Sequence, residues 1–143
     1  MLKVKLLHPN ATLPHYAHEG DGCFDLFAVE DVSWNYTNGI QTATVPLGLA
    51  FEIPVDYTMF VFSRSGHGFN YGITLANSTG VIDSTYRGEV EVKLTSHNRV
   101  FDIEKGTKVA QACVIHTPRQ YFEIVQELSP SPRTGGLGST GNK

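Results

Sequence analysis

The strongest constraint on this chain is how often it is interrupted. Glycine and proline recur throughout, 14 and 7 times in 143 residues. Between them no window of about eleven residues carries apolar side chains at a 3.6-residue period, which excludes long amphipathic helices. What remains is short and alternating. In residues 88–96, Val90, Val92 and Leu94 fall on one face, with Glu89, Glu91, Lys93 and Thr95 on the other. Val4 and Leu6 alternate with Lys3 and Lys5 until Pro9-Asn10 stops the run. Residues 47–53 (closed by Pro54), 57–62, 107–116 and 121–125 read as further strands, with Pro118 breaking the last two apart. Only a turn or two of helix is expected, near residues 66–71. The class is therefore all-β, a sandwich or barrel that hides its own edges.

Composition narrows the function. The chain has 11 basic and 14 acidic side chains, a net charge of −3. That balance argues against a broad nucleic-acid surface, so an anionic ligand has to be met by a few local cations or a metal. At 41% hydrophobic and 17% charged, the sequence is neither disordered nor membrane-embedded. It has no apolar run of about 18 residues, and its apolar start is too short for a signal peptide. A soluble, cytoplasmic protein is expected, or one in the host cytoplasm if a virus encodes it. Cys23 and Cys113 are too few for a disulfide framework or a four-cysteine zinc site, and predict two reduced core thiols. Residues 1–128 make one domain. Residues 129–143, with Leu137 as their one large apolar side chain, make a mobile tail.

Several segments carry candidate chemistry. Residues 136–141 match G-x-G-x-x-G literally, but no helix follows, so the dinucleotide fingerprint is spurious. Open glycine N–H groups, the hydroxyls of Ser139 and Thr140, and the nearby Arg133 still suit a polyphosphate over which the tail closes. A disordered solubilising terminus is the plain alternative. Ser63-Arg64-Ser65-Gly66 follows a strand and opens a helical turn, a second phosphate cradle. Between Gly80 and Gly88 lie Asp83, Tyr86 and Arg87, with Asp83 at a strand end or, more plainly, capping a turn. His15 and His18 lack an obvious third metal ligand, and residues 19–25 lack EF-hand spacing. A hard cation held by one or two carboxylates plus substrate phosphates stays open there.

Taken in order, these segments resemble the five motifs of the trimeric dUTP pyrophosphatase (dUTPase) family. Gly22-Cys23-Phe24-Asp25-Leu26-Phe27-Ala28 is similar to the first and Ser63-Arg64-Ser65-Gly66 to the second. The third corresponds to residues 76–88, the fourth to Gly106-Thr107-Lys108-Val109-Ala110-Gln111, and the fifth to residues 135–141. The resemblance implies a distorted jelly-roll-like β-barrel with at most one short helix, forming a homotrimer whose sites are shared between subunits. The implied reaction is hydrolysis of dUTP to dUMP and pyrophosphate with Mg2+, which keeps uracil out of DNA and supplies dUMP for thymidylate synthesis.

Residue by residue, the resemblance makes Asp83 the general base for a water attacking the α-phosphorus. Asp25 would hold magnesium through water. Arg64, Ser65, Gly66 and Gln111 would contact phosphates. The hairpin of Asn77, Gly80 and Val81 would read uracil, and Tyr86 would pack on the deoxyribose and exclude a 2′-hydroxyl. Arg133, Leu137, Gly138, Ser139 and Thr140 would form the lid. Two positions depart from the pattern. Leu137 stands where the family carries an aromatic residue, and Arg133 lies one residue closer to the glycine pair than the family arginine. An aromatic ring adds about 0.5–1.5 kcal/mol beyond its area, so Leu137→Phe is expected to lower the Michaelis constant. The rivals are a non-catalytic dUTPase-like regulatory or binding module, a dCTP deaminase-like enzyme, and a structural β-barrel subunit.

Overall fold

The computed structural model describes residues 1–132 together with Gly135 and Gly136. Its elements in chain order are β1 (Lys3–Leu6), β2 (Phe24–Phe27), β3 (Asn35–Thr37), β4 (Ile40–Pro46), β5 (Leu49–Glu52), β6 (Tyr57–Phe62), α1 (Ser65–Tyr71), β7 (Ile73–Leu75), β8 (Thr79–Ile82), β9 (Glu91–Ser96) and β10 (Lys108–His116). Two antiparallel four-stranded sheets, in the orders β2-β10-β6-β8 and β3-β4-β9-β7, face one another, and β1-β5 forms a separate ribbon. This is the expected all-β, jelly-roll-like arrangement with one short helix.

Alternation sets the sheet faces. In β9, Val92 and Leu94 are buried while Glu91 and Lys93 are exposed, as their spacing requires. Leu26, Val45, Leu47, Leu49, Met59 and Val109 are fully buried between the layers. Each such burial stabilises the fold by about 1.5–3 kcal/mol. β2 is buried along its whole length, and its Asp25 is 8% exposed among apolar neighbours. β10 is the organising strand, pairing with β2 on one side and β6 on the other.

The chain passes from one sheet to the other through α1. Tyr71 and His67 from that helix pack on Phe101. Gly72 ends it at φ 68°, a left-handed conformation that suits glycine, and its N–H reaches the carbonyls of His67 and Gly68. β7 then joins β9 while β8 joins β6, so the turn at residues 76–78 bridges the two sheets at one end.

Three sequence expectations need correction. Residues 121–125 form no strand: beyond Thr117, whose N–H bonds to the carbonyl of Asp56, and Pro118, the segment pairs with no strand among the described residues. A strand needs a partner ladder, and Tyr121, Phe122 and Ile124 are instead almost wholly exposed. Cys23 and Cys113 are free, as expected, but half-buried and outside the core. Four strands, β2, β3, β4 and β7, were not anticipated. No helix among the described residues is long and apolar enough to cross a membrane.

Candidate active site

Two groups of the anticipated residues come together at separate places. The first surrounds Asp25. Its Oδ1 accepts from Arg64 Nε at 3.2 Å, and its Oδ2 pairs with Lys108 Nζ at 2.7 Å. Two cations on one carboxylate leave this corner net positive. Arg64 stands at the N-cap of α1, and Ser65 and Gly66 are the first residues of the helix. First-turn N–H groups have no partner within a helix, so these amides add donors to the same corner. Gln111, opposite Asp25 across β2 and β10, donates from Nε2 to the Ser63 carbonyl at 3.0 Å. Ser63 Oγ in turn accepts from the Leu75 N–H at 2.8 Å, tying this loop to β7. An open cavity of about 320 Å³ is lined by Ser63, Arg64, Ser65, Gly68, Phe69 and Gln111. Cations, amides and hydroxyls gathered there suit phosphoryl oxygens.

His67 contacts the same corner. Arg64 Nη1 lies 3.4 Å from its Nε2, while its Nδ1 is buried without a hydrogen-bond partner. Burial and the neighbouring guanidinium push the imidazole below its ordinary value, against a smaller opposite pull from Asp25. The neutral ring thus accepts from Arg64.

The second group lies along β8 and the loop after it. A cavity of about 470 Å³ is lined by Asn77, Gly80 and Val81 together with residues of β4, β6, β7 and β9. Its rim is the tight turn in which the Thr79 N–H bonds to the Asn77 carbonyl at 2.6 Å and Ser78 takes φ 62°. β8 ends at Ile82, so Asp83 occupies the strand end expected of it, with its carbonyl accepting from the Tyr86 N–H. Tyr86 Oη donates to the Glu89 carbonyl at 2.8 Å. Its ring lies so close over Gly88 that a Cβ there would stand 2.6 Å from Oη. Arg87 Nη1 donates to the carbonyls of Ser84 and Tyr86 and holds the loop shut. Asp83 and Tyr86 line a further cavity of about 270 Å³.

Neither Asp83 nor Asn77 lines the cavity that holds Arg64 and Gln111. One chain therefore builds a cation-rich corner and a carboxylate–tyrosine cavity with no lining residue in common. Arg133, Leu137, Gly138, Ser139 and Thr140 lie outside the described residues. Sequence reasoning missed Lys108 as a partner of Asp25. The signal for Lys108 was the cross-strand register, which spacing within one strand does not reveal.

Among the described residues no three His, Cys, Asp or Glu side chains gather around a metal position. His15 is instead stacked on Phe27, its Nδ1 3.3 Å from the Leu13 carbonyl. The single carboxylate of Asp25 has acceptor capacity left on each oxygen for a bound water. That donor set fits magnesium, which keeps several waters and takes its other ligands from substrate phosphates.

The profile of the dUTPase family matches residues 9–141. The deoxyuridine 5'-triphosphate nucleotidohydrolase of Picosynechococcus sp. is 39% identical over 142 residues, covering 98% of each chain. That of Clostridium acetobutylicum is 41% identical over 144 residues, covering 99% of this chain and 97% of the relative. Among solved structures, Staphylococcus bacteriophage 80alpha dUTPase with dUpNHpp superposes with a TM-score of 0.85 at 26% identity, covering 99% of this chain and 98% of that one. The dUTPase of phage phi11 of S. aureus, described as coordinating a structural Mg(II) ion, shares the fold at a TM-score of 0.80 and 22% identity, covering 91% of this chain and 99% of that one. The profile, the full-length relatives and the fold agree, and the chain belongs to the dUTPase family.

Proposed function

We propose that this protein hydrolyses dUTP to dUMP and pyrophosphate in a homotrimer whose sites combine residues of different subunits, removing dUTP and supplying dUMP for thymidylate synthesis. Arg64, Ser65, Gly66 and Gln111 bind the triphosphate. Their donors match charge that spreads over phosphoryl oxygens in the transition state. Asp83, an exposed carboxylate at the end of β8, positions a water and takes its proton as the water attacks the α-phosphorus. Asp25 would hold magnesium through water, and the ion would supply positive charge against the phosphoryl oxygens. The hairpin of Asn77, Gly80 and Val81 reads uracil through backbone groups; a cytosine would leave buried polar groups mismatched, at a cost on the order of 10⁴ in specificity. Tyr86 packs on the deoxyribose. Arg133, Leu137, Gly138, Ser139 and Thr140 close over the triphosphate from the tail at residues 129–143.

The observation that carries this proposal is the division of the motif residues between two unconnected cavities, one rich in cations and one holding Asp83 and Tyr86. The test is pyrophosphate release from dUTP, dCTP, dTTP and UTP, with magnesium and with chelator, for wild type and Asp83→Asn. Wild type is expected to act on dUTP alone, and Asp83→Asn to lose about 10²–10⁴ in kcat. No pyrophosphate from dUTP overturns the activity, full turnover by Asp83→Asn overturns the base, and ammonia from dCTP marks a deaminase instead.

A further inference from the structure

β2 and β10 run antiparallel with Gln111 opposite Asp25 and Ala112 opposite Phe24. β2 begins at Phe24, so Cys23 lies just before it and Cys113 one residue past the last paired rung; continued by one step, the register sets the two cysteines opposite each other. Residues facing each other in such a pair have Cα atoms about 4.5–5.5 Å apart, inside the disulfide range of about 4.4–6.8 Å. The Cys23 thiol is within hydrogen-bonding reach of the Cys113 thiol, so the two side chains meet. Both thiols are free and half-buried, which leaves an approach for a small oxidant. Because side chains alternate along a strand, Cys23 shares a face with Asp25, and Cys113 with Gln111. The two cysteines thus lie two positions along from Asp25 and Gln111, on the same face of the two strands as the phosphate-binding corner.

We propose that Cys23 and Cys113 form an intrachain oxidation site that closes to a disulfide under a peroxide and impairs the Asp25–Gln111 corner beside it. One sulfur attacks a peroxide oxygen, giving a sulfenic acid and releasing water. The second sulfur then attacks the sulfenic sulfur, expelling a second water as the S–S bond forms. The two thiols lose two electrons and two protons, and one peroxide is reduced to two waters. Closure draws opposed Cβ atoms from about 4.5–5.5 Å to about 3.8 Å. That movement pulls on Asp25 and Gln111, each two residues away along its strand.

The effect on turnover rests on the dUTPase reading; formation of the bond does not. The full chain is treated with stoichiometric hydrogen peroxide, its thiols are titrated after denaturation, unreduced peptides are mapped by mass, and dUTP turnover is followed. Both thiols are expected to disappear together, with a linked peptide joining Cys23 to Cys113 within one chain. Turnover is expected to fall by roughly tenfold and to recover with dithiothreitol, since small misplacements of binding groups cost rate steeply. Cys113→Ser should keep one thiol and stay active through the same treatment. Two titratable thiols after oxidation, or a link between chains, overturns the site. A disulfide with unchanged turnover overturns the coupling to the corner. Untreated protein inactive on dUTP overturns the dUTPase reading, while the thiol count still decides the pair.

Discussion

Gly88 shows how a single backbone position fixes a neighbouring side chain, that of Tyr86. Its hydroxyl donates to the Glu89 carbonyl, and its ring lies where a Cβ on residue 88 would meet it at 2.6–2.7 Å. Gly88→Ala therefore forces the ring out and breaks that hydrogen bond. With Tyr86 against the deoxyribose, the preference for dUTP over UTP in kcat/KM should fall by at least about tenfold. Tyr86→Phe keeps the ring and loses only the hydroxyl, so it should sit between the two. An unchanged ratio in Gly88→Ala would remove Tyr86 from sugar selection. His67 makes a second residue-level prediction. Its pKa is lowered on folding, so the unfolded chain binds the proton more readily. Stability linked to it is present above the ordinary histidine value and is lost as pH falls from there through the lower folded value. Thermal unfolding followed from pH 7 to pH 5 should show wild type losing more stability than His67→Asn; parallel curves would exclude this linkage.

At the level of elements, legibility followed one-sided burial. β9 was plain in the sequence because one face meets the core and the other meets water. β2 was not, since all four of its residues are buried and its Asp25 breaks the apolar run. β3 and β7 are three residues each, too short for any period to show. The helix at Ser65–Tyr71 was legible from its flanking punctuation, although it buries no residue. The candidate site was readable as motifs in order, because Arg64, Asp83 and Gln111 sit at element ends or within one strand. Cross-strand pairs such as Asp25–Lys108 depend on a register that no local pattern encodes. That pair carries its own prediction. Asp25→Ala leaves Arg64 and Lys108 facing each other without the shared carboxylate, and should cost about 1–3 kcal/mol in urea unfolding. Lys108→Met alone should cost less, because Arg64 still partners Asp25. Equal and negligible costs would show that the corner is held by β2–β10 pairing alone.

At the scale of the whole molecule, the single chain leaves a large apolar segment uncovered. Tyr121, Phe122, Ile124 and Leu128 are each more than four-fifths exposed along a segment that leaves the β-body. So much contiguous apolar surface is characteristic of an interaction site. The division of the motif residues between cavities points the same way, since the proposed base Asp83 lines a different cavity from Arg64 and Gln111. In a cyclic trimer every site would take its corner from one subunit and its carboxylate from the next. This arrangement predicts complementation. Asp83→Asn and Arg64→Ala are each expected to be nearly inactive alone. When the two are unfolded together and reassembled in equal amounts, some interfaces join an intact Arg64 to an intact Asp83. Random assembly gives about a quarter of the sites both groups, so activity should recover to about a quarter of wild type. A single-chain site gives no recovery at any mixing ratio, because every chain then carries one lesion.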